Sequence, residues 1–212
     1  MNNDWTYVGA STSDGLATLT VVRPRWRLTV GGRRPRGEWE AALLDLRRDD
    51  QESILTWLHR NLTEGRAPVG DSARVRLLLD VSEPGTGDLL SRAVVRRIDR
   101  YPVFRRLTVN TFELLDRHVD RGTRADGTQT IARREVLAPL LEAVAERKLT
   151  IPRGGMGREF VDQATALRGK TARDEPGAED LIRAAALCMW AIEREGGGRL
   201  RGFAGPSPIN IH

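Results

Sequence analysis

Between Arg74 and Leu90 the chain has few ways to fold. The run Leu77-Leu78-Leu79 is short, apolar and bounded by polar residues, which predicts a strand buried on both faces. It stops at Asp80. A turn with Pro84, Gly85 and Gly87 comes next, then a helical pattern from about Asp88 to Ile98. A doubly buried strand needs cover on both sides of its sheet, so this stretch points to an α/β domain. Asp80 then has two readings. Aspartate at a strand exit commonly caps the turn. The C-terminal ends of buried strands are also where α/β sheets assemble their sites, and there Asp80 would be a delivered carboxylate.

The flanking segments extend this to a mixed sheet. Residues 5–22 predict two strands joined at Ser13-Asp14-Gly15, an Asp-Gly hairpin signal. A third strand is expected over 26–30, and a basic turn over 31–37 carries Arg33, Arg34 and Arg36. Ile54, Leu55, Leu58 and Leu62 have helical spacing over 51–64, closed by Gly65. A strand at 104–109 follows the helix ending near Ile98, so successive strands here should run parallel. Residues 121–130, with Asp126-Gly127, predict an exposed loop or hairpin tip. Val136, Leu137, Leu140, Leu141 and Val144 mark the inner face of a helix over 133–147. A short edge strand is expected at 149–152, a helix at 156–168, a charged loop at 168–177 and a last helix at 178–194. One domain over 1–194 would then leave 195–212 as a Gly/Pro/Arg-rich tail.

Composition narrows the partners. The net charge is +5, and of 34 basic residues only Lys148 and Lys170 are lysines. Arginine's rigid fork of donors pairs with phosphate, which makes double-stranded DNA the expected partner. A high genomic G+C content would raise arginine as well. The single Cys188 excludes a disulfide framework. Neither a signal peptide nor an apolar run of about 18 residues is present, so a soluble cytoplasmic protein with no membrane partner is expected.

The last helix is the second informative stretch. Asp180, Ala184, Leu187, Cys188 and Ala191 share one face. Ala184 would let the helix approach a sheet closely. Asp180 would sit at the inward corner of the first turn, where the helix dipole favours an ionised carboxylate; an ordinary acidic helix start is the alternative. His59, His118 and His212 lack metal-ligand spacing and are expected at the surface. Trp39, Trp57 and Trp190 sit in helical patterns and are expected to pack. Asp88 is expected to cap its helix.

The hairpin start, the strand end Asp80-Val81-Ser82-Glu83-Pro84-Gly85-Thr86-Gly87, the helix and strand from Arg133 to Pro152, and Glu179-Asp180 opening an alanine-rich helix together resemble the nuclease domain of phage terminase large subunits. The resemblance covers about residues 5–194. It implies an α/β, ribonuclease H-like fold, a mixed β-sheet flanked by helices. It implies a metal-dependent DNA endonuclease in a bacterial or phage-infected cell. Asp80 and Asp180 would be catalytic ligands of Mg²⁺ or Mn²⁺, with Glu179 and Asp14 as further ligands. Arg33, Arg34, Arg36, Arg121, Arg124, Arg133 and Arg134 are the expected phosphate contacts.

Two departures qualify this. The family carries an aspartate two residues after a glycine in its first strand, and here Gly9-Ala10-Ser11 places a serine there. Two closely spaced divalent ions require bridging anionic oxygen ligands, so Ser11 predicts impaired cleavage. The family's large subunits also carry an ATPase motor, whereas this sequence has no Gly-x-x-x-x-Gly-Lys-Ser/Thr loop; a separate motor chain or other packaging proteins would supply it. The alternative reading is a catalytically inactive ribonuclease H-like DNA-binding or assembly module. A junction resolvase is a third.

Overall fold

The computed structural model describes residues 5–13, 15–29, 36–72, 74–83, 85–116, 121–169 and 180–201, with side chains at 26–29, 36–39, 168–169 and 196–201 left aside. Asp14, Arg33, Arg34, His118, Glu179 and His212 lie outside the described residues, as does the side chain of Arg36. Among the described residues, eight strands form one sheet: β1 (Trp5–Ser13), β2 (Leu16–Thr29), β3 (Arg36–Asp50), β4 (Arg74–Asp80), β5 (Leu107–Leu115), β6 (Gly122–Thr123), β7 (Gln129–Ala132) and β8 (Leu149–Thr150). Their order is β6-β7-β5-β4-β1-β2-β3-β8. β2 runs antiparallel to both β1 and β3, while β4 is parallel to β1, and β5 to β4. Five helices among the described residues cover the sheet: α1 (Gln51–Glu64), α2 (Thr86–Arg100), α3 (Arg133–Ala145), α4 (Gly155–Gly169) and α5 (Asp180–Arg201). This is a mixed sheet flanked by helices on both faces.

The two sheet faces bury separate cores. On one, Val8, Leu19, Leu77 and Leu79 meet α1 and α2 through Leu58 and Leu90. On the other, Tyr7, Leu78 and Phe112 meet α3, α4 and α5 through Leu140, Phe160 and Leu187. Successive residues of β4 thus serve opposite cores, as its continuous apolar run requires.

Several boundaries differ from expectation. β2 is one strand running through Pro24, not two. Its pairing with β1 ends at Tyr7↔Val22, so by Pro24 that side of β2 is an edge, where proline is tolerated. β3 stands where the spacing around Trp39 predicts helix. The β2–β3 register shifts between Val21 and Val22, so Leu43 pairs with Val22 and Leu46 with Thr20. This bulge turns residues three apart toward one core and imitates helical spacing. Phe104 belongs to a 3-10 turn (Pro102–Arg106), and β5 starts only at Leu107. α5 continues to Arg201, beyond the boundary expected at 194. His59 is packed rather than fully exposed, its ring 4.4 Å from that of Tyr101. Asp88 lies in the first turn of α2, whose N-cap position is Gly85.

Candidate functional site

Four residues form a row across the sheet at its β4 exit. Ser11 of β1 pairs with Thr18 of β2, and Thr18 with Arg48 of β3. Directly opposed residues of antiparallel strands point to the same face. The parallel register Gly9↔Leu78 and Ala10↔Leu79 brings Asp80 beside Ser11. Leu78 packs in the α5 core, so Asp80, two residues on, faces the first turns of α5.

Asp180, the first residue of α5, descends onto this row and is 3 % exposed. Arg48 grips it with two bonds, Nε to Oδ2 at 2.8 Å and Nη2 to Oδ1 at 2.7 Å. Thr18 Oγ1 donates to Oδ2 at 2.5 Å and the Leu181 N–H to Oδ1 at 2.8 Å. A carboxylate offers about four lone-pair sites, and all four are taken. Ser11 Oγ donates to the Asp180 carbonyl at 3.0 Å, so Ser11 holds the start of the helix. Arg48 also donates to Glu159 of α4 at 2.7 Å, tying α4 and α5 to β3.

Asp80 is 1 % exposed. It does cap its turn: Oδ1 accepts from the Ser82 N–H at 3.0 Å and from Ser82 Oγ, which in turn accepts from the Leu114 N–H at 2.6 Å. Its Oδ2 faces Arg183, one turn into α5, with Nη1 at 3.4 Å. Arg183 Nη2 donates to the Thr12 carbonyl at 2.9 Å. Helix and sheet thus exchange charges: the acid of α5 meets the arginine of β3, and the arginine of α5 meets the acid of β4.

Burial alone would raise the Asp180 carboxyl, but the Arg48 and Thr18 hydrogen bonds outweigh it and hold the group below the usual carboxylate range. The bond to Asp180 likewise raises the Arg48 guanidinium. A depressed carboxyl stabilises the fold above its unfolded value, about 3.9, and loses that contribution as pH falls through the folded value. The native melting temperature should therefore fall, as pH drops below about 4, more steeply than that of Asp180→Asn. Parallel acid limbs in scanning calorimetry would refute this.

These residues do not fit a divalent ion. Magnesium and manganese need free carboxylate oxygens, and each carboxylate already faces a guanidinium that proteins do not deprotonate. Among the described residues, no group of three or more His, Cys, Asp or Glu side chains gathers as metal ligands. The glycine-bearing loop packs instead: a Cβ on Gly87 would lie 2.6 Å from the Val81 Cα.

The expected phosphate contacts are mostly engaged. Arg121 pairs with Glu135, Arg124 with Glu113 at 3.4 Å, and Arg133 with Asp116 at 2.8 Å; Arg134 is exposed. Arg48, Arg183 and Thr18 were not among the sequence candidates. Arg183 had a signal, since it lies three residues from Asp180 on a helix that is otherwise apolar there. Arg48 had none without β3. Trp190 and Cys188 pack as expected, the former edge-on to Phe112 at 5.5 Å.

No family model and no curated protein matches the chain. A solved structure described as Thermus thermophilus RuvC is similar, with 14% identity and a TM-score of 0.41 over 91% of this chain and 96% of that one. Among the described residues, no helix is long and apolar enough to cross a membrane.

Proposed function

We propose that this chain is a ribonuclease H-like DNA-binding or assembly module that does not cleave DNA. The observation that carries this reading is the saturation of Asp180 by Arg48, Thr18 and the Leu181 N–H. A nuclease of this architecture needs that carboxylate free. The terminase-like motif order is then kept as scaffold, and packaging partners, including a separate motor chain, fit an assembly role. The net charge of +5 and the near-exclusive use of arginine favour duplex DNA as the partner.

Titration of a fluorescent DNA duplex should show binding without sequence preference, with log affinity falling linearly with log salt. Supercoiled plasmid with Mn²⁺ or Mg²⁺ should remain intact with the native chain and with Ser11→Asp, because Ser11 is committed to the Asp180 carbonyl. Native nicking abolished by Asp80→Ala would overturn the non-cleaving reading and restore the metal-dependent endonuclease with Asp80 and Asp180 as ligands. Absence of DNA binding at low salt would remove DNA as the partner.

A further inference from the structure

We infer that an arginine row on α2, Arg92, Arg96 and Arg100, is the surface on which this chain binds duplex DNA. The inference rests on the DNA reading above and gives it a place in the fold. The three residues recur at every fourth position and so share one side of the helix. All three are exposed. The opposite side is fixed in the core by Leu90 and Val94, 1 % and 0 % exposed. Arg97 pairs with Glu52 of α1 and stands outside the row.

The arginines expected to meet phosphate are balanced by acids, Arg121 by Glu135, Arg124 by Glu113 and Arg133 by Asp116. The α2 row is not. Among the described residues no ion pair reaches Arg92, Arg96 or Arg100, although Asp88 and Asp99 are exposed on the same helix. Arg100 lies over the Tyr101 ring at 5.5 Å, which leaves its charge uncompensated. The helix dipole accounts for Arg100 in the last turn, but its effect fades before Arg96 and Arg92. Like charges four residues apart oppose helix formation, and α2 sets two such pairs in succession. A polyanion laid along the row relieves both. A rise of 1.5 Å per residue spaces the three positions about 6 Å apart. Duplex DNA carries a phosphate charge about every 1.7 Å of its axis, so each guanidinium can meet a phosphate of its own. The guanidinium fork suits that group.

The test is titration of a fluorescent duplex between about 50 and 200 mM salt. Three chains are compared: the native one, Arg92→Gln/Arg96→Gln/Arg100→Gln, and Arg147→Gln/Arg153→Gln/Arg158→Gln. The last removes the same three charges from exposed positions around the connection of α3 to α4, helices of the other sheet face. Each phosphate contact contributes about 0.9 to the slope of log affinity against log salt. The α2 variant should therefore have a slope shallower by about 2–3 and bind more than about tenfold more weakly at the low-salt end. The control slope should stay within about 1 of the native value. The α2 variant should melt no lower than the native chain, since two like-charge pairs are gone. A native-like slope in the α2 variant, or equal losses in both variants, would overturn the inference and leave DNA as the partner. Leu89 and Val95 are exposed on the same helix, which makes a second copy of the chain the competing occupant. A native dimer in light scattering that the α2 variant loses, with its DNA slope unmoved, would therefore overturn the inference too. No DNA binding by the native chain at low salt would remove the DNA reading itself, and this inference with it.

Discussion

Arg48→Met should lower stability by about 3 kcal/mol, the lower end of the range for breaking a buried ion pair. For a chain of this size that is about 6–12 °C in melting temperature. Asp180 is 3 % exposed and relies on Arg48 for two of its four hydrogen bonds. Removing the guanidinium strands a carboxylate in the core, and the loss is chiefly that of the unpaired charge rather than of the attraction itself. Arg48 is a quarter exposed, so water can partly replace it, which is why the lower end applies. Arg48→Lys should fall between, since an ammonium cannot reproduce the two-pronged grip. Arg48→Met combined with Asp180→Leu should recover most of the loss, giving a double-mutant coupling well above experimental error. Equal melting of Arg48→Met and the native chain by chemical denaturation would show that the pair is idle.

The sequence made one half of this arrangement legible and hid the other. Asp80 stands out because a run of three leucines ends on it, and Asp180 because it opens a helix whose small residues mark a sheet-facing side. Charges that occupy element ends announce themselves. Their partners are harder to read. Arg183 sits where a helix wheel crowded with alanines leaves its direction open, and only the Thr12 carbonyl fixes it. Arg48 is reached only through the pairing Thr18↔Arg48, a contact between residues far apart in the chain. The strand that carries it is disguised, because the Val21/Val22 register shift lets Leu43 and Leu46 point to the same core. Acids read without their arginines look like metal ligands; with them, they read as the two ends of crossed ion pairs.

Gly9→Ala should lower stability by more than about 4 kcal/mol, a value reached only by disruptions of the core. A Cβ at Gly9 would stand 1.9 Å from the carbonyl oxygen of Ala184, 2.7 Å from its carbonyl carbon and 3.0 Å from the Cys188 Sγ. The first two are backbone atoms of a helix buried from Leu181 to Ile192, so no side chain can swing aside. α5 would have to lift as a body. The same helix carries Asp180 and Arg183, whose bonds to Arg48, Thr18 and the Thr12 carbonyl span only 2.5–2.9 Å. Lifting the helix therefore loses packing and both ion pairs together, which is why the effect should exceed ordinary overpacking of about 1–3 kcal/mol. Read from the sequence, Gly9 marks a motif in which an aspartate should follow two residues later; in the fold its missing side chain is what seats α5 on β1. Gly155→Ala is the control, because a Cβ there meets nothing within 4 Å. Soluble yield and melting temperature should collapse for Gly9→Ala and hold for Gly155→Ala. A Gly9→Ala chain melting within about 2 °C of the native one, less than the shift of 1 kcal/mol, would mean that α5 does not sit this close to β1.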